Sequence, residues 1–533
     1  MYTGGLLFCV LGILFCTSFT VTEGSKLLVI PMDGSPWLAM RKLVESLSQR
    51  GHQIVLVVPE VHMYVKKMDN VTVRIFPVPY PKELMDSMVT ETGHQTFQRR
   101  SALENMILMY DKIATLTSYV VIQCESLLRN EGLMKYLEEY KFDAMLTDAS
   151  YPCGEIIAEH LSLPTLSFVR ASFFGADLEA AQSPTPPSYV PRFFTEYTDH
   201  MNFRQRVNNF ILSYIEYIMC RVFYAPFARL ASDFLQKDVT VLDLFGRASV
   251  WLLRYDFIFE FPRPIMPNMV LIGGINCAQR SLLTQEFEKL VNSSGEHGFV
   301  VFSLGSMVSE IPMHKAMDIA EALGSIPQTV IWRYTGPPPS NLEENTHLVK
   351  WLPQNDLLAH PKARAFITHA GSHGIYEGIC NAVPMVMLPL FGDQMDNAKR
   401  IESRGAGITL NVLDMTPDDL TNALKSVINV PSYKENIHRL SDLHLDRPIH
   451  PLDLAVYWVE FVMRHKGAPH LRPAAHDLNW IQYHSIDVFA FLLAVLVISL
   501  FISIKCCAFT LRCCCGRKSS GGKSKSKSKS KKE

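Results

Sequence analysis

A chain of 533 residues is longer than one ordinary hydrophobic core can serve, so we expect at least two domains. Hydrophobic residues make up 48% of the chain and charged residues 19%, which is typical of a globular protein and excludes an intrinsically disordered one. The formal net charge is −1, but basic residues concentrate in the segment 505–533, so the chain before it is acidic and no nucleic-acid-binding surface is expected.

The amino terminus carries an apolar run at residues 6–20, followed by small polar residues. The run is too short for a comfortable membrane span and is placed like the core of a signal peptide. We predict that residues 1–24 are a signal peptide, and an uncleaved anchor or a buried strand is the alternative.

Strands and helices then alternate through the first half of the chain. Lys26–Pro31 and Ile54–Val58 are aliphatic runs that predict buried strands, and Leu38–Gln49 between them has a helical pattern. Strand, helix and strand with continuous aliphatic strands is typical of a parallel sheet. A further strand and loop follow at Ala144–Asp148, and we predict a Rossmann-like N-terminal domain over residues 25–284.

The alternation restarts at Phe299 and predicts a second doubly wound domain over residues 285–445. Between the domains, the segment from Pro262 to Glu286 is the predicted linker, and residues 446–487 are predicted to be a helical segment and membrane-proximal linker. Two such domains leave a cleft, the usual place for a large two-part substrate. The strands of the second domain are predicted at residues 300–303, 329–333, 347–351, 365–368 and 385–388.

Cysteine usage does not suggest a disulfide scaffold. Five cysteines lie in the body of the chain, an odd number, so at least one is unpaired: Cys124, Cys153, Cys220, Cys277 and Cys380. The Cys-x-x-Cys spacing is absent, so no zinc site is predicted. Asn70 and Asn292 begin Asn-x-Ser/Thr sequons and are candidate glycosylation sites in a lumenal body.

The carboxyl-terminal part predicts one membrane span. Val488–Ile504 is an uncharged run that nearly crosses the hydrocarbon core as a helix. Trp480 precedes it and basic residues follow it, which predicts a single-pass type I protein with the body lumenal and residues 505–533 cytosolic. Residues 529–533 resemble the dilysine signal of endoplasmic reticulum membrane proteins, and a basic tail on anionic lipid is the alternative.

One strand-to-helix turn carries candidate chemistry. The strand at residues 365–368 ends at His369, and the small residues of Ala370–Gly374 lead into a helix that holds Glu377. Small residues at such a turn expose backbone N–H groups and a positive helix end, which favours phosphate binding. Glu377, one turn into the helix, is placed to accept hydrogen bonds from ribose hydroxyls. Each residue alone also fits a structural role, His369 as a buried histidine and Glu377 as part of a solvated face.

The whole stretch from Trp351 to Gln394 resembles, in order and spacing, the donor-binding signature of UDP-glycosyltransferases. From about Tyr189 onward the chain is similar to the C-terminal half of vertebrate UDP-glucuronosyltransferases. The resemblance implies an α/β GT-B fold with two Rossmann-like, doubly wound parallel-sheet domains facing a cleft, plus one C-terminal transmembrane helix. It also implies inverting transfer of glucuronic acid from UDP-glucuronate to lipophilic acceptors, in the clearance of foreign and endogenous compounds, with no bound cofactor and no metal.

The same resemblance assigns roles to matching residues. Trp351 would stack on uracil with Gln354 hydrogen-bonding near it, and Glu377 would hold the ribose. Asp393 and Gln394 would hold sugar hydroxyls. The residues implied around the diphosphate are Ser303, Ser306, His369, Gly371, Ser372 and Gly374, with Arg254.

The sequence departs from the family pattern at position 36. The family base is a histidine in the loop after the first strand, supported by an aspartate whose position matches Asp148, but this chain has Pro36. Proline has no proton acceptor, so three readings stand. The chain is a transferase favouring amines, whose lone pair attacks without losing a proton; or Asp148 or water accepts the proton; or the chain is a non-catalytic donor-binding partner of related transferases.

Other function classes fit less well. A transferase for another UDP-sugar, such as UDP-glucose, remains the alternative, because hydroxyl recognition by Asp393 and Gln394 suits any hexose. His373 is a candidate for the C6 carboxylate by location alone. A membrane-tethered lectin or receptor explains the ends of the chain but not the nucleotide signature. The expected partners are lipophilic acceptors, a UDP-sugar and membrane lipid, and confinement to a membrane favours oligomers with itself or related transferases.

Overall fold

The structure, a computed structural model, describes residues 24–516 except 171–172, 278–279, 306–307 and 309. The chain divides into two units, one reaching Arg472 and one from Pro473 onward. Residues 1–23 of the predicted signal peptide and residues 517–533 of the basic tail lie outside the described residues.

The first half of the chain builds a seven-stranded parallel sheet in the order β3-β2-β1-β4-β5-β6-β7. Its central strands are buried on both faces, as the continuous aliphatic runs predict. The strands are β1 (Lys26–Ile30), β2 (Gln53–Pro59), β3 (Val71–Phe76), β4 (Ala144–Thr147), β5 (Thr165–Val169), β6 (Val250–Leu253) and β7 (Met269–Leu271).

Helices cover both faces of this sheet and bury two hydrophobic clusters, one on each side. The segment after β5 is irregular and includes a short 3₁₀ turn, Phe173–Gly175. The helices are α1 (Ser35–Gln49), α2 (Lys82–Thr96), α3 (Ala102–Leu128), α4 (Glu131–Tyr140), α5 (Cys153–Leu161), α6 (Ala176–Ala180), α7 (Phe203–Leu235) and α8 (Val241–Phe245).

The second half builds a six-stranded parallel sheet in the order β10-β9-β8-β11-β12-β13. The strands are β8 (Phe299–Ser303), β9 (Thr329–Arg333), β10 (Thr346–Val349), β11 (Ala363–Thr368), β12 (Met385–Met387) and β13 (Gly407–Thr409). The helices are α9 (Gln285–Ser293), α10 (Met313–Gly324), α11 (Gln354–Leu358), α12 (Ser372–Cys380), α13 (Gln394–Ser403), α14 (Pro417–Asn429) and α15 (Pro431–Leu445). Two doubly wound parallel-sheet domains are therefore present, as predicted.

Two connections differ from the sequence-based division. The predicted linker, Pro262–Glu286, contains β7, which completes the first sheet at its edge. After α15 the chain returns to the first domain as α16 (Pro451–His465), whose apolar face joins the core beside β4 and β6. A three-residue strand and a helix that docks far back in the chain carry little local signal, which is why the sequence treated both as connections.

The second unit contains α17 (Trp480–Tyr483) and α18 (Ile486–Gly516). Residues 486–514 of α18 contain an 18-residue stretch with a mean hydropathy of 2.7 and are long and apolar enough to cross a membrane. The helix extends beyond the predicted span, Val488–Ile504, at both ends. In the part of the chain that the structure describes, α7 is also long and apolar enough to cross a membrane. Its most apolar 18-residue stretch has a mean hydropathy of 1.2 and is 17% buried.

Cysteine pairing agrees with the odd count in the body of the chain. Cys124 bonds Cys153, and Cys277 bonds Cys380. Cys220 is buried and unpaired. The two sequon asparagines, Asn70 and Asn292, are both exposed, while their glycosylation stays a prediction.

Candidate active site

A cavity of about 2070 Å³ opens where the carboxyl ends of strands from both sheets meet. Loops after parallel strands converge at one sheet edge, which is where such folds bind ligands. The cavity is lined by every catalytic and donor-binding residue predicted from the sequence that the structure describes, whereas Ser306 lies outside the described residues. These residues are Pro36, Asp148, Arg254, Ser303, Trp351, Gln354, His369, Gly371, Ser372, Gly374, Glu377, Asp393 and Gln394.

The turn between β11 and α12 presents free backbone donors to the cavity. Ala370 adopts the left-handed region with φ 63°, and Gly371 is the N-cap of α12. No side chain caps this helix end, so the first N–H groups of α12 have no side-chain acceptor. An anion at this position would accept from these groups and interact favourably with the positive end of the helix dipole.

His369 is held against this turn by two glycines. A Cβ atom added at Gly305 or at Gly371 would lie 2.5 Å from Nε2 of His369, and Gly305 also has φ +86°. Burial lowers the pKa of His369 to about 4, and Asp393 opposes that shift. The imidazole is therefore neutral near pH 7, and its Nδ1 has no hydrogen-bond partner among the described residues.

The residues predicted for uracil and ribose form one connected group. Glu377 is 7% exposed and accepts a short hydrogen bond at Oε2 from Nε2 of Gln354. Nε2 of His373 lies 3.3 Å from Oε1 of the same carboxylate. Trp351 is 58% exposed, so one face of its indole is free to stack on a planar ring.

Arg333 belongs to this group, although the sequence analysis did not select it. Its guanidinium lies 5.4 Å from the ring centroid of Trp351, and it donates to the backbone oxygen of Gly305. It is the last residue of β9, at the same edge of the sheet as His369, which follows β11. An arginine at the carboxyl end of a predicted strand was the available signal.

Gln394 is the first residue of α13, and Asp393 is its N-cap. Oε1 of Gln394 accepts from the backbone N–H groups of Leu390 and Phe391 at 2.8 and 3.1 Å, which fixes the side chain and leaves its amide nitrogen for a ligand. Oδ2 of Asp393 accepts from Asn397 at 2.8 Å. The two side chains are thus oriented before any sugar binds.

A buried ion cluster joins the two domains beside Asp393. Glu260 binds Arg170, which follows β5, at 2.6 Å and Arg400 of α13 at 3.1 Å. Although burial alone would raise it, Arg400 and Arg170 lower the pKa of Glu260 to about 2. Arg170 also donates to Asn397, 227 residues away in the chain, at 3.0 Å. No local motif predicts a cluster spread over such separations, so these residues could not be selected from the sequence.

Pro36 and Asp148 line the part of the cavity that the first domain supplies, where the acceptor is predicted to bind. Pro36 lies in the first turn of α1, where a proline costs no backbone hydrogen bond. Asp148 is 2% exposed, accepts from the backbone N–H of Ser150 at 2.8 Å, and has its pKa raised by burial. The nearest histidine along the chain, His52, does not line the cavity. Its Nε2 lies 3.1 Å from Oε1 of Glu460.

The profile of the family described as "UDP-glucoronosyl and UDP-glucosyl transferase" matches residues 25–521. The chain belongs to that family. A rat relative named UDP-glucuronosyltransferase 1A1 is 60% identical over 513 residues, covering 96% of this chain and 95% of the relative. The human protein of the same name is 58% identical over 514 residues with the same coverage, and human UDP-glucuronosyltransferase 1A6 is 57% identical over 95% of both chains.

The fold of this transferase is shared with solved structures of low sequence identity. Os79 T291V from O. sativa, solved in complex with UDP, superposes with a TM-score of 0.55 at 16% identity, covering 83% of this chain and all of that one. A glycotransferase of kitacinnamycin gives the same score and identity, covering 83% and 99%. The family resemblance drawn from residues 351–394 is therefore confirmed, and the chain is a glycosyltransferase with a GT-B fold.

Within this glycosyltransferase fold both domains line the cavity, and we name its two walls for the roles predicted from the sequence: the donor wall from the second domain and the acceptor wall from the first. The second domain supplies the helix-end amides, the neutral histidine and the carboxylates of Glu377 and Asp393. The first domain supplies the buried carboxyl group of Asp148 and also Pro36, whose side chain cannot accept a proton. The arrangement can stabilise a growing negative charge on one side of a sugar while an uncharged nucleophile approaches from the other.

Proposed function

We propose that this chain is a UDP-glucuronosyltransferase that transfers a glucuronyl group from UDP-glucuronate to lipophilic small molecules, with inversion at the anomeric carbon. The observation that carries the proposal is the convergence of the donor signature with Pro36 and Asp148 on one cavity. The names of the relatives that are 57–60% identical support the donor and the transferred group.

In the proposed reaction the acceptor forms a bond to C1 of the sugar while the bond from C1 to the diphosphate oxygen breaks. The electron pair of that bond leaves with UDP. The N–H groups at the start of α12 and the neutral imidazole of His369 would donate hydrogen bonds to the departing diphosphate. Fixed donors in a water-poor cavity stabilise such charge more than water does, because they need no reorganisation.

We propose that tertiary amines are preferred acceptors. Pro36 offers no base, and a tertiary amine attacks with its own lone pair and loses no proton. A phenol must lose one, and Asp148 is the candidate base for that route, since burial raises its pKa toward the useful range. Phenol transfer through Asp148 is the second candidate activity.

The acceptor wall favours lipophilic molecules. Aromatic and aliphatic side chains from the segment after β5 and from α7 line it, among them Phe174, Phe193, Ile215, Met219 and Val222. Burial of apolar acceptor surface against these side chains stabilises the bound state by roughly 25 cal/mol for each Å². We further propose, from the sequence of the ends, an endoplasmic reticulum membrane protein with a lumenal body.

The proposal is tested with microsomes that express this chain, supplied with radiolabelled UDP-glucuronate or UDP-glucose and with a phenol or a tertiary amine of matched lipophilicity. Glucuronide formed on the amine and little on the phenol is the expected result. Product from UDP-glucose alone would replace the proposed donor, and no product from either donor with UDP still bound would indicate a non-catalytic partner.

A further inference from the structure

The last helix, α18, is longer than a membrane span requires. It contains 31 residues and is about 46 Å long, whereas the hydrocarbon core of a bilayer is about 30 Å thick. About 20 residues cross that core, so a span that begins with the uncharged run at Val488 ends near Cys507. Such a span leaves the last turns of α18 at the membrane surface, on the side that the basic residues predict to be cytosolic.

This surface segment carries four cysteines on one face of the helix. Cys506, Cys507, Cys513 and Cys514 are exposed, and none of them forms a disulfide. Successive helical residues are turned by about 100°, so Cys513 returns to nearly the direction of Cys506 after two turns. Cys514 stands in the same relation to Cys507. The four thiols therefore lie within an arc of about 120°, which we call the cysteine face.

The charges of this segment lie away from the cysteine face. Lys505 and Arg512 share one direction, about 150° around the helix from the centre of that face. Thr510 lies on the cysteine face, but its hydroxyl donates to the backbone oxygens of Cys506 and Cys507, at 2.9 Å each. A face with thiols and no charge suits contact with acyl chains, whereas the cationic face suits anionic headgroups.

Helix geometry excludes two other common uses of four cysteines within one chain. The two pairs are separated by about 10 Å along the helix axis, whereas bridged cysteines have Cα atoms about 4.4–6.8 Å apart. Within each pair, the neighbouring side chains point about 100° apart. A structural zinc ion needs its sulfur ligands at about 2.3 Å, which pairs so far apart cannot supply together. The thiols of the cysteine face are therefore free for covalent modification.

We infer that the cysteine face is S-acylated with long-chain fatty acids. The inference goes beyond the proposed transferase activity and rests on the proposed cytosolic orientation of the tail. Juxtamembrane cysteines are the usual sites of this reversible modification. A cysteine sulfur attacks the carbonyl carbon of a long-chain acyl-coenzyme A thioester, and a new S–C bond forms. The S–C bond of the donor breaks, and coenzyme A leaves as its thiol with the proton that the cysteine gives up.

Acylation holds the end of α18 at the membrane surface. Chains attached to the cysteine face enter the lipid beside the span, since each buried methylene group favours insertion. Cys513 and Cys514 lie about 10 Å beyond the other pair, a distance that a long acyl chain covers. The opposite face then brings Lys505 and Arg512 to the anionic headgroups, which attract basic residues.

The test counts acyl groups on the full chain expressed in mammalian cells. Cys515→Ser is included throughout, so that the count concerns the cysteine face alone. Free and disulfide-bonded thiols are first reduced and blocked, and neutral hydroxylamine then cleaves thioesters. Each released thiol is capped with a maleimide polymer that adds a fixed mass on a gel. We expect hydroxylamine-dependent mass additions in this parent chain and their complete loss when the whole cysteine face is changed to serine.

Double substitutions assign the additions to the two pairs. Cys506→Ser with Cys507→Ser should keep the additions of the outer pair, and Cys513→Ser with Cys514→Ser should keep those of the inner pair. Cys220→Ser is the matched control, because it removes a free but buried cysteine of the body and should change nothing. All variants should bind UDP like wild type, since none of the described residues of α18 lines the cavity.

Other outcomes would overturn the inference. The parent chain without additions would show that the thiols are not acylated, and additions that persist in the four-serine variant would place the acyl groups elsewhere. Protease treatment of intact microsomes that carry an epitope at the carboxyl terminus tests the orientation. An epitope protected from the protease would place the tail in the lumen, away from acyl-coenzyme A, and would also contradict the inference. Absence of glucuronide in the microsomal assay would refute the proposed activity alone, since the acyl count needs no turnover.

Discussion

We propose that the residue at position 36 determines which nucleophiles the cavity can use. We predict that Pro36→His raises the rate with a phenol by about 100-fold, the scale of general base catalysis, because the imidazole can accept the phenolic proton. The carboxyl group of Asp148, whose pKa is raised by burial, is available to orient the imidazole introduced at position 36. A tertiary amine has no proton to lose, so its rate should change little. The measurement is kcat/KM for both acceptors at saturating donor. An equal change for the two acceptors would contradict the proposal that position 36 acts through proton removal.

Glu377, predicted to hold the ribose, accepts a hydrogen bond from Gln354, predicted to lie near the uracil. We predict that Glu377→Ala weakens UDP binding by roughly 100-fold, because it removes the ribose acceptor and leaves Gln354 without its carboxylate partner. Equilibrium binding of radiolabelled UDP checks this. Glu321→Ala, which changes an exposed acid on α10, is the control and should bind UDP like wild type. Unchanged affinity in Glu377→Ala would refute the donor-site assignment.

Alanine substitutions at Gly305 and Gly295 distinguish a steric effect on His369 from a backbone effect on stability. A methyl group there would meet Nε2 of His369 at 2.5 Å, whereas Gly295 has an equally unusual φ of +57° but open space around it. Both substitutions to alanine should cost about 1 kcal/mol of stability through the left-handed backbone. Only Gly305→Ala should also weaken UDP binding, by at least about tenfold on the scale of a displaced hydrogen-bonding group. Thermal unfolding and UDP binding measured on both variants distinguish the two effects.

At the scale of helices and strands, the sequence predicted most of the fold and part of the site. Aliphatic runs bounded by polar or turn residues located β1, β8 and β9 to within a residue, since a strand buried on both faces tolerates few other side chains. The site residues of 351–394 lie close in the chain, so their spacing could predict a group of side chains, and the structure places them along one cavity. Arg170, Glu260 and Arg400 come from three distant elements, and only the packed structure brings them together.

That ion cluster predicts a pH dependence of stability. The pKa of Glu260 falls from its ordinary 4.5 to about 2 on folding, so its contribution is complete above pH 4.5 and is lost as the pH falls toward 2. Glu260→Gln should destabilise the protein at pH 7 by about 3 kcal/mol, because two arginines lose their shared counterion. It should also flatten the decline of stability between those pH values. Denaturant unfolding at several pH values checks both, with Glu321→Gln as an exposed control expected to match wild type.

At the scale of the whole molecule, the chain passes from the first domain to the second and then returns. The described residues that line the cavity all precede Arg472, the end of the first unit. The returning helix, α16, buries Leu452, Val456 and Val459 in the core of the first domain. Each large aliphatic side chain buried in this way stabilises the fold by roughly 1.5–3 kcal/mol. The face as a whole thus contributes an amount comparable with the net stability of a domain, about 5–15 kcal/mol.

Two truncations therefore have opposite expected outcomes. A chain ending at residue 472 lacks α17 and α18 but keeps both domains and α16, so it should bind UDP with wild-type affinity in detergent. A chain ending at residue 446 also lacks α16, and the apolar surface left open on the first sheet should make it aggregate and lose cooperative unfolding. Gel filtration, thermal unfolding and UDP binding measured on both truncated chains distinguish these outcomes. If the shorter chain bound UDP as tightly as the longer one, the returning helix would be an accessory to the fold and the two domains would hold the cavity unaided.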